Sequence, residues 1–527
     1  MSKSNPVSGG KTDSYKRARK VIFPLSRISF LLFLAAAVAF FAVLSGFGIV
    51  PRRYLILIAL IELAVVLLMA VFTLGKKMSN GAKAAQTVIC VILSAMMVWG
   101  CVALPTYKGK LAKIFTPIAG EGTRNINVYA LTSRGYTSVD DLANKTIGVQ
   151  AKLDQEAQDY ALAQLEHETD NAVFQEYPCQ DIYEAVDRLY DGTVDAILLN
   201  ESYAEIIVAN DDYHTFLQDT AVVYQCIQKV TLNYDLSKVG NVTQEPFIIG
   251  IIGNDDWLME DLNDDGGFRS DVNMVLAVNP VTKQILMVSV PRDAYVPIKG
   301  NRAMMDKLTH APVYENNEMS GIGFWIATMN DLLEVDMNYT FKVNFQSMVD
   351  IVNALDGIDV DNPYAFTASY VDWIEQTDQA WENYYEFPAG TIHLDGQQAL
   401  AYCRERYSLP EGDISRNQHQ AIVMRALVDK ITSVQVLAHI DSLLTSLEGK
   451  FMTNMDFNAI LALANMQLDD MAVWDLQYYS LSGEPDYLPC YIMGNQELSV
   501  IDLDSDSVRT AISYLDRMMA GEKIVVE

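Results

Sequence analysis

Three long apolar runs open the chain, from Ile28 to Val50, Tyr54 to Leu74 and Ala84 to Leu104. Each is close to the ~20 residues that a helix needs to cross a hydrocarbon core. Three in succession, joined by short basic links, are hard to bury inside a soluble domain. They predict three transmembrane helices over 28–104 behind a basic tail, 1–27. A cleaved leader fits only the first run, and two more follow at once. The pattern then shortens. From 120 to 240, strands at Asn127–Thr132, Thr146–Gln150, Val173–Glu176 and Ala196–Leu199 alternate with helices at Asp154–Glu166 and Ile182–Tyr190. This predicts a small α/β domain. After a polar link at Lys238–Pro246, the buried strand Phe247–Gly253 begins a larger region, 247–520.

Charge gives the apolar head an orientation. Residues 1–113 hold ten Lys and five Arg against Asp13 and Glu62, a balance of +13. The whole chain carries −29, which leaves −42 for the remainder. So acidic a body argues against a nucleic-acid partner. Basic residues before the first run and Lys76, Lys77 and Lys83 after the second mark the cytoplasmic side. The link Pro51-Arg52-Arg53 and everything after about Pro105 then lie outside the cell. Six cysteines form no CxxC motif, and no close histidine pair suggests zinc. Cys179 and Cys226 share one outer domain, where a pair and two free thiols are both open readings.

Between 253 and 420, arginines and acids recur at the ends of apolar strands: Gly253-Asn254-Asp255, Arg269-Ser270-Asp271, Pro291-Arg292-Asp293, Asp306-Lys307 and Arg404-Glu405-Arg406. Arginine forks bind phosphate oxygens, and paired carboxylates hold a hard cation. Strands Val272–Val278 and Gln284–Val290 flank the turn Asn279–Lys283. A hairpin centred on Val281 sets Asp271 opposite Pro291 and Arg269 opposite Asp293. An antiparallel neighbour Phe247–Gly253 brings Asp255 to the same end. The structural alternative is a salt-bridge cluster capping a sheet. Asp261, Asn263, Asp265 and Gly266 match half a calcium loop, but Val272 stands where a ligating Glu is needed, so this reads as a solvated acidic loop. Tyr402–Tyr407 reads as extended, which would point Arg404 and Arg406 the same way, as a double fork for a diphosphate. Asp413, Arg416 and Gln420 follow, the last two one helical turn apart.

These motifs, together with Leu394-Asp-Gly-Gln-Gln-Ala-Leu400, resemble the LytR-CpsA-Psr family of bacterial envelope proteins over about Phe247–Lys430. The three spans and intervening domain look most like its capsule-type members. The resemblance implies an α/β domain with a central mixed sheet flanked by helices. It also implies a phosphotransferase that moves a glycopolymer, capsule or teichoic-acid-like, from undecaprenyl pyrophosphate to peptidoglycan. By resemblance, Asp255 and Asp271 hold Mg²⁺, or Mn²⁺ in its place, with Asp256 an alternative to Asp255. Arg269, Arg292, Lys307, Arg404, Arg406, Arg416 and Gln420 bind the pyrophosphate. Arg292, Arg404, Arg406 and Asp413 are the catalytic candidates, with Asp413 a general base or an arginine orienter. His419 stands where the family usually has a basic or amide residue. The family also implies an apolar tunnel for the lipid tail, and a Gram-positive-type envelope. Competing readings are a non-catalytic polyprenyl-phosphate-binding sensor or assembly factor, and a lipid pyrophosphatase. Thr137–Leu142, Lys145–Val149 and Asp191–Ile197 resemble one lobe of an extracellular solute-binding protein, which reads first as a spacer or partner-docking module.

Overall fold

A computed structural model describes residues 9–48, 50–75, 78–114, 120–152, 154–169, 172–208, 210–232, 236, 239–254, 268–314, 316, 319–369, 384–410, 412–433 and 451–526. The chain divides into two compact units, 1–114 with 457–471, and 115–456 with 472–527.

The first unit contains α1 (Gly9–Phe47), α2 (Arg52–Leu74) and α3 (Asn80–Ile114). Within them Val21–Gly46, Arg52–Leu74 and Asn80–Thr106 are long and apolar enough to cross a membrane. Most of their leucines and isoleucines face outward, as lipid-facing side chains do. Buried Lys83 donates from Nζ to the Thr73 carbonyl at 2.8 Å, placing a cation at the C-terminal end of α2. The helix Phe457–Asp470 also belongs to this unit. Its Asp469 lies 3.5 Å from Arg53, and its Asn465 donates to the Gly48 carbonyl.

The second unit holds two larger sheets. The first has the order β3-β2-β4-β1-β5, built from β1 (Gly120–Leu131), β2 (Thr146–Gln150), β3 (Gln175–Cys179), β4 (Ala196–Asn200) and β5 (Thr220–Leu232). The long β5 is an element that the apolar pattern did not reveal. Helices α4 (Gln155–Glu168), α5 (Ile182–Tyr190), α6 (Glu201–Val208) and α7 (Phe216–Asp219) connect the strands. Side chains alternate between faces, so Ile126, Val128, Ile147, Val149 and Leu198 pack with α4, whereas Tyr129, Ile197 and Leu199 pack with α5 and α6. Cys226 belongs to the first group and Cys179 to the second, and both are free thiols. The pairing left open on sequence is thus excluded, because the sheet itself separates the two sulfurs.

The second sheet has the order β16-β11-β6-β7-β8-β17. Its strands are β6 (Phe247–Asn254), β7 (Ser270–Asn279), β8 (Gln284–Ser289), β11 (Tyr339–Asn344), β16 (Phe451–Thr453) and β17 (Asp475–Ser480). Smaller ribbons are β9 (Tyr295–Pro297) with β10 (Met305–Lys307), β12 (Ile358–Asn362) with β15 (Gly390–Leu394), β13 (Phe366–Ser369) with β14 (Tyr384–Phe387), and β18 (Gly483–Cys490) with β19 (Gln496–Leu503). The helices are α8 (Gly321–Leu333), α9 (Phe345–Ala354), α10 (Gly396–Arg404), α11 (Asp413–Thr432), α12 (the Phe457–Asp470 helix of the first unit) and α13 (Ser505–Met519). The expected α/β architecture with a mixed sheet is present. β6 pairs antiparallel with β7, as expected, and parallel with β11.

Two local expectations are corrected. The hairpin pairs Asn279 with Gln284 and Met274 with Ser289, one residue out of the expected register. A four-residue turn replaces the turn centred on Val281, because the Asn279 side chain accepts from the Val281 and Thr282 amides and closes it. The shift carries Asp271 towards Arg292 rather than Pro291. Tyr402–Arg404 is also helical rather than extended. Asp395 caps α10 in a box with Gln398, and the helix runs through Arg404 before Glu405 turns extended.

Candidate functional site at the edge of the second sheet

β6 and β8 end, and β7 begins, at one edge of the sheet. Gly253 makes this edge tight, since a Cβ there would stand 2.9 Å from that of Val272. Asn273 accepts from the Trp325 indole at 2.7 Å and donates to the Ser270 carbonyl at 3.0 Å, which pins the start of β7 to α8. Arg269, half-buried, precedes Ser270 directly.

Arg292 Nη1 reaches Asp271 Oδ1 at 2.6 Å, and its Nε lies 3.5 Å from Asp293 Oδ2. Lys307 Nζ closes on Asp293 Oδ1 at 2.9 Å. The four side chains keep only 15–22% of their surface exposed. Burial alone would raise the Asp293 carboxyl. Lys307, Arg292 and Arg416 override it and hold the group below its usual range. Arg416, buried in α11, therefore converges on the same cluster.

Lys307 is held from behind. Its neighbour Asp306 is fully buried and accepts from His310 Nδ1 at 2.7 Å, Tyr314 Oη at 2.6 Å and the Ile492 amide at 2.9 Å. Burial opposes ionisation of Asp306, but His310 and these hydrogen bonds outweigh it and lower its pKa. Sequence reading noticed Asp306 but missed this clamp; the signal was the i, i+4 spacing of Asp306 and His310 and the tyrosine beyond. Lys342 was missed as well. It is buried within apolar β11, with Nζ 4.0 Å from the Phe268 ring. A lysine inside an apolar strand was the available signal.

Arg404 and Arg406 are half-buried, at the end of α10 and just beyond it. Arg406 packs its guanidinium over the Tyr407 ring, 4.6 Å from the centroid. The strand-based double fork is thus replaced by a helix end followed by one extended step. In α11, Arg416 is buried, Gln420 half-buried, and His419 fully buried in an aromatic box. Its ring stacks on Tyr402 at 4.3 Å and approaches Phe366 at 4.7 Å, while Nδ1 meets the Tyr402 carbonyl at 3.2 Å. Burial pulls its pKa down to about 4, so it is a neutral packing group that docks α11 on α10. Asp413 is the first residue of α11.

Asp255, Asp256 and the acidic loop to Gly266 lie outside the described residues, as do residues 434–450. Among the described residues no cluster of three or more His, Cys, Asp and Glu side chains is placed to hold a metal ion. Asp271 is the one expected metal ligand described, and one of its oxygens is occupied by Arg292. A cavity of about 640 Å³ opens among Tyr295, Arg302, Asp502, Ser505 and Arg509, none of them an expected pyrophosphate ligand.

Fold and site together define an α/β protein with converging cations and acids at one sheet edge, carried on apolar spanning helices. The model of the LytR_cpsA_psr family matches residues 215–502, and the chain belongs to that family. It is 32% identical over 251 residues to the polyisoprenyl-teichoic acid–peptidoglycan teichoic acid transferase TagU of Enterococcus faecalis, covering 47% of this chain and 71% of that protein. The TagU of Bacillus cereus is 31% identical over 245 residues, covering 46% and 72%. The crystal structure of B. subtilis TagV aligns with 25% identity and a TM-score of 0.41, covering 53% of this chain and 98% of that one.

Proposed function

We propose that this chain is a membrane-anchored transferase that moves a capsule- or teichoic-acid-like glycopolymer from undecaprenyl pyrophosphate to peptidoglycan. The observation that carries the reading is the Arg292–Asp271–Asp293–Lys307 network, joined by Arg416, at one sheet edge. In it, carboxylates preorganise cations around a place suited to phosphate oxygens. The family relatives named as teichoic acid transferases support the class of reaction.

In this reading an acceptor hydroxyl oxygen attacks the glycan-linked phosphorus. A new P–O bond forms, the bond to the lipid phosphate breaks, and polyprenyl monophosphate leaves with the bridging electron pair. Arg269, Arg292, Lys307, Arg404, Arg406, Arg416 and Gln420 bind the pyrophosphate oxygens and balance the charge that develops on the leaving group. Asp413 takes the acceptor proton or orients an arginine. Asp271 together with Asp255 would hold Mg²⁺ or Mn²⁺, which when bound supplies further neutralisation of phosphate charge.

The same reading sets the N-terminus in the cytoplasm and the region after α3 outside, in a Gram-positive-type envelope. Two observations favour this topology: the basic residues flanking the spans, and the contact of Arg53, in the expected outer link, with Asp469 of α12. That contact keeps the link and a helix from beyond the arginine motifs on one side.

The test is release of polyprenyl phosphate from a lipid pyrophosphate-linked glycan by the full chain in detergent, with peptidoglycan as acceptor. Arg292→Ala and Asp271→Ala should each strongly reduce divalent-cation-dependent release, and full activity in both would sink the site. Binding of donor without turnover would favour the sensor or assembly-factor reading. Release without glycan appearing on the acceptor would favour the pyrophosphatase.

A further inference from the structure

The first sheet has a polar cluster that its fold does not use. β2 and β4 run parallel, and the register Ile147–Ala196 and Gly148–Ile197 places Gln150 level with Leu199. Leu199 in turn pairs with Asn127 of β1. Gln150 and Asn127 therefore share one row and one face, at the C-terminal edge of β2 and β4. Gln150 is 4% exposed and Asn127 2%. Neither side-chain atom of Gln150 has a hydrogen-bond partner among the described residues, nor has Asn127 Oδ1. Asp154, four residues beyond Gln150, adds an Oδ2 in the same condition. Buried amides are ordinarily satisfied, and those beside these are: Gln158 bonds the Gln150 backbone and Asn200 accepts from Ser202.

Asp154 is set up for another task. It occupies the N-cap of α4 in the left-handed region, φ 51°, yet its side chain caps nothing. Burial pushes its carboxyl up to about 6, against the pull of Tyr203 and Arg124. Arg124, on β1, is 1% exposed. The cluster also lies where chain order reverses within the sheet, since β3 leads back to β4 between β2 and β1. Open α/β sheets bind small molecules at the carboxyl ends of strands beside such a reversal.

We propose that this edge is a second, separate ligand site for a small zwitterion of the amino-acid or short-peptide class. The oxygens of Asp154, Asn127 and Gln150 supply three acceptors for an ammonium. Arg124 lies on the other face of β1, with Ile126 and Val128, and donates to Gln228 Oε1 at 3.3 Å; at the strand edge its guanidinium matches a carboxylate. The Gln150 amide N–H and the Tyr203 hydroxyl complete the set. The observations thus turn from the spacer reading towards binding.

The experiment is calorimetric titration and thermal unfolding of the full chain in detergent with individual amino acids and alanine-containing dipeptides. One or more should bind saturably and raise the melting temperature, and a carboxylate or an amine alone should bind far more weakly. Gln150→Leu and Asn127→Leu should each weaken binding by about tenfold or more, because each removes a bond to a charged group. Gln150→Leu should not lower the melting temperature without ligand, since neither polar atom of its side chain has a partner among the described residues, whereas Asn127→Leu also removes the 3.2 Å bond to the Tyr129 hydroxyl. Asp154→Asn should weaken the ammonium side while keeping the shape. Turnover of the lipid-linked donor should not change in these variants. Absence of binding by every probe, or affinity unchanged in the leucine variants, overturns the proposal. So does a lower melting temperature of Gln150→Leu without ligand, which would make that amide structural.

Discussion

At the edge of the sheet that begins with β6, Arg292 meets Asp271 at 2.6 Å, Lys307 meets Asp293 at 2.9 Å, and Asp306 accepts from three further groups. At the edge of the sheet that begins with β1, Gln150 presents two polar atoms and Asn127 one with no partner among the described residues. Both edges belong to α/β layers with dense apolar cores, and both bury polar groups that cost free energy when unmatched. The difference lies in who completes them. The first edge is preorganised by its own carboxylates, which hold Arg292 and Lys307 in place, as the proposed phosphate site requires. The second leaves amide and carboxylate oxygens open, as suits reversible capture of a small molecule.

The comparison breaks most visibly at Arg292. Arg292→Ala should lower glycopolymer transfer by about 10²–10³-fold, measured as donor turnover, because preorganised charge at the reacting phosphate is removed. Next is the clamp. Asp306→Ala should cost about 3–5 kcal/mol in thermal unfolding, since His310, Tyr314 and the Ile492 amide lose a buried charged partner together. If the cost were below 1 kcal/mol, the idea that this edge is self-sufficient would have to be dropped.

Acid sharpens the contrast. The carboxyls of Asp293 and Asp306 are held below their ordinary value of 3.8, so the stability that they contribute is complete above that pH and is lost as pH falls through their lower folded values. His419 acts in a higher window. Its folded pKa near 4 lies below the ordinary 6.5, so between these values the unfolded chain binds a proton that the folded chain refuses. Stability should therefore fall as pH drops from 6.5 towards 4. His419→Phe should remove that slope from a melting-temperature series and change stability at pH 7 by less than about 1.5 kcal/mol. The smallest expected effect concerns the thiols. A reductant should leave the melting temperature unchanged, because Cys179 and Cys226 are free and on opposite faces of one sheet.

Much of this was legible in the residues. The apolar runs located the three spans, and Thr146–Gln150 and Ile182–Tyr190 were read with the boundaries that the structure gives them. Arg269, Asp271, Arg292 and Lys307 were picked out because arginine and acid beside strand ends is an uncommon pattern in a core. What failed was local and conformational. Tyr402–Arg404 looked extended, but Asp395 and Gln398 box the helix start seven residues earlier and carry the helix through. The hairpin slipped by one residue because Asn279 closes the turn with its side chain. The bond from the Ile492 amide to Asp306 and the placement of Lys342 beside Phe268 join residues far apart in the chain, which local periodicity does not encode.

The sequence by itself determined the layers and the chemical kind of each group. Twenty-residue apolar runs must find lipid, period-two strands must form half-buried sheets, and arginines with aspartates must be solvated or paired. Only the tertiary structure decided which groups meet. Burial and pairing depend on strand order, register and crossover, which place Asp271 on Arg292, Lys307 on Asp293, and Gln150 in one row with Asn127.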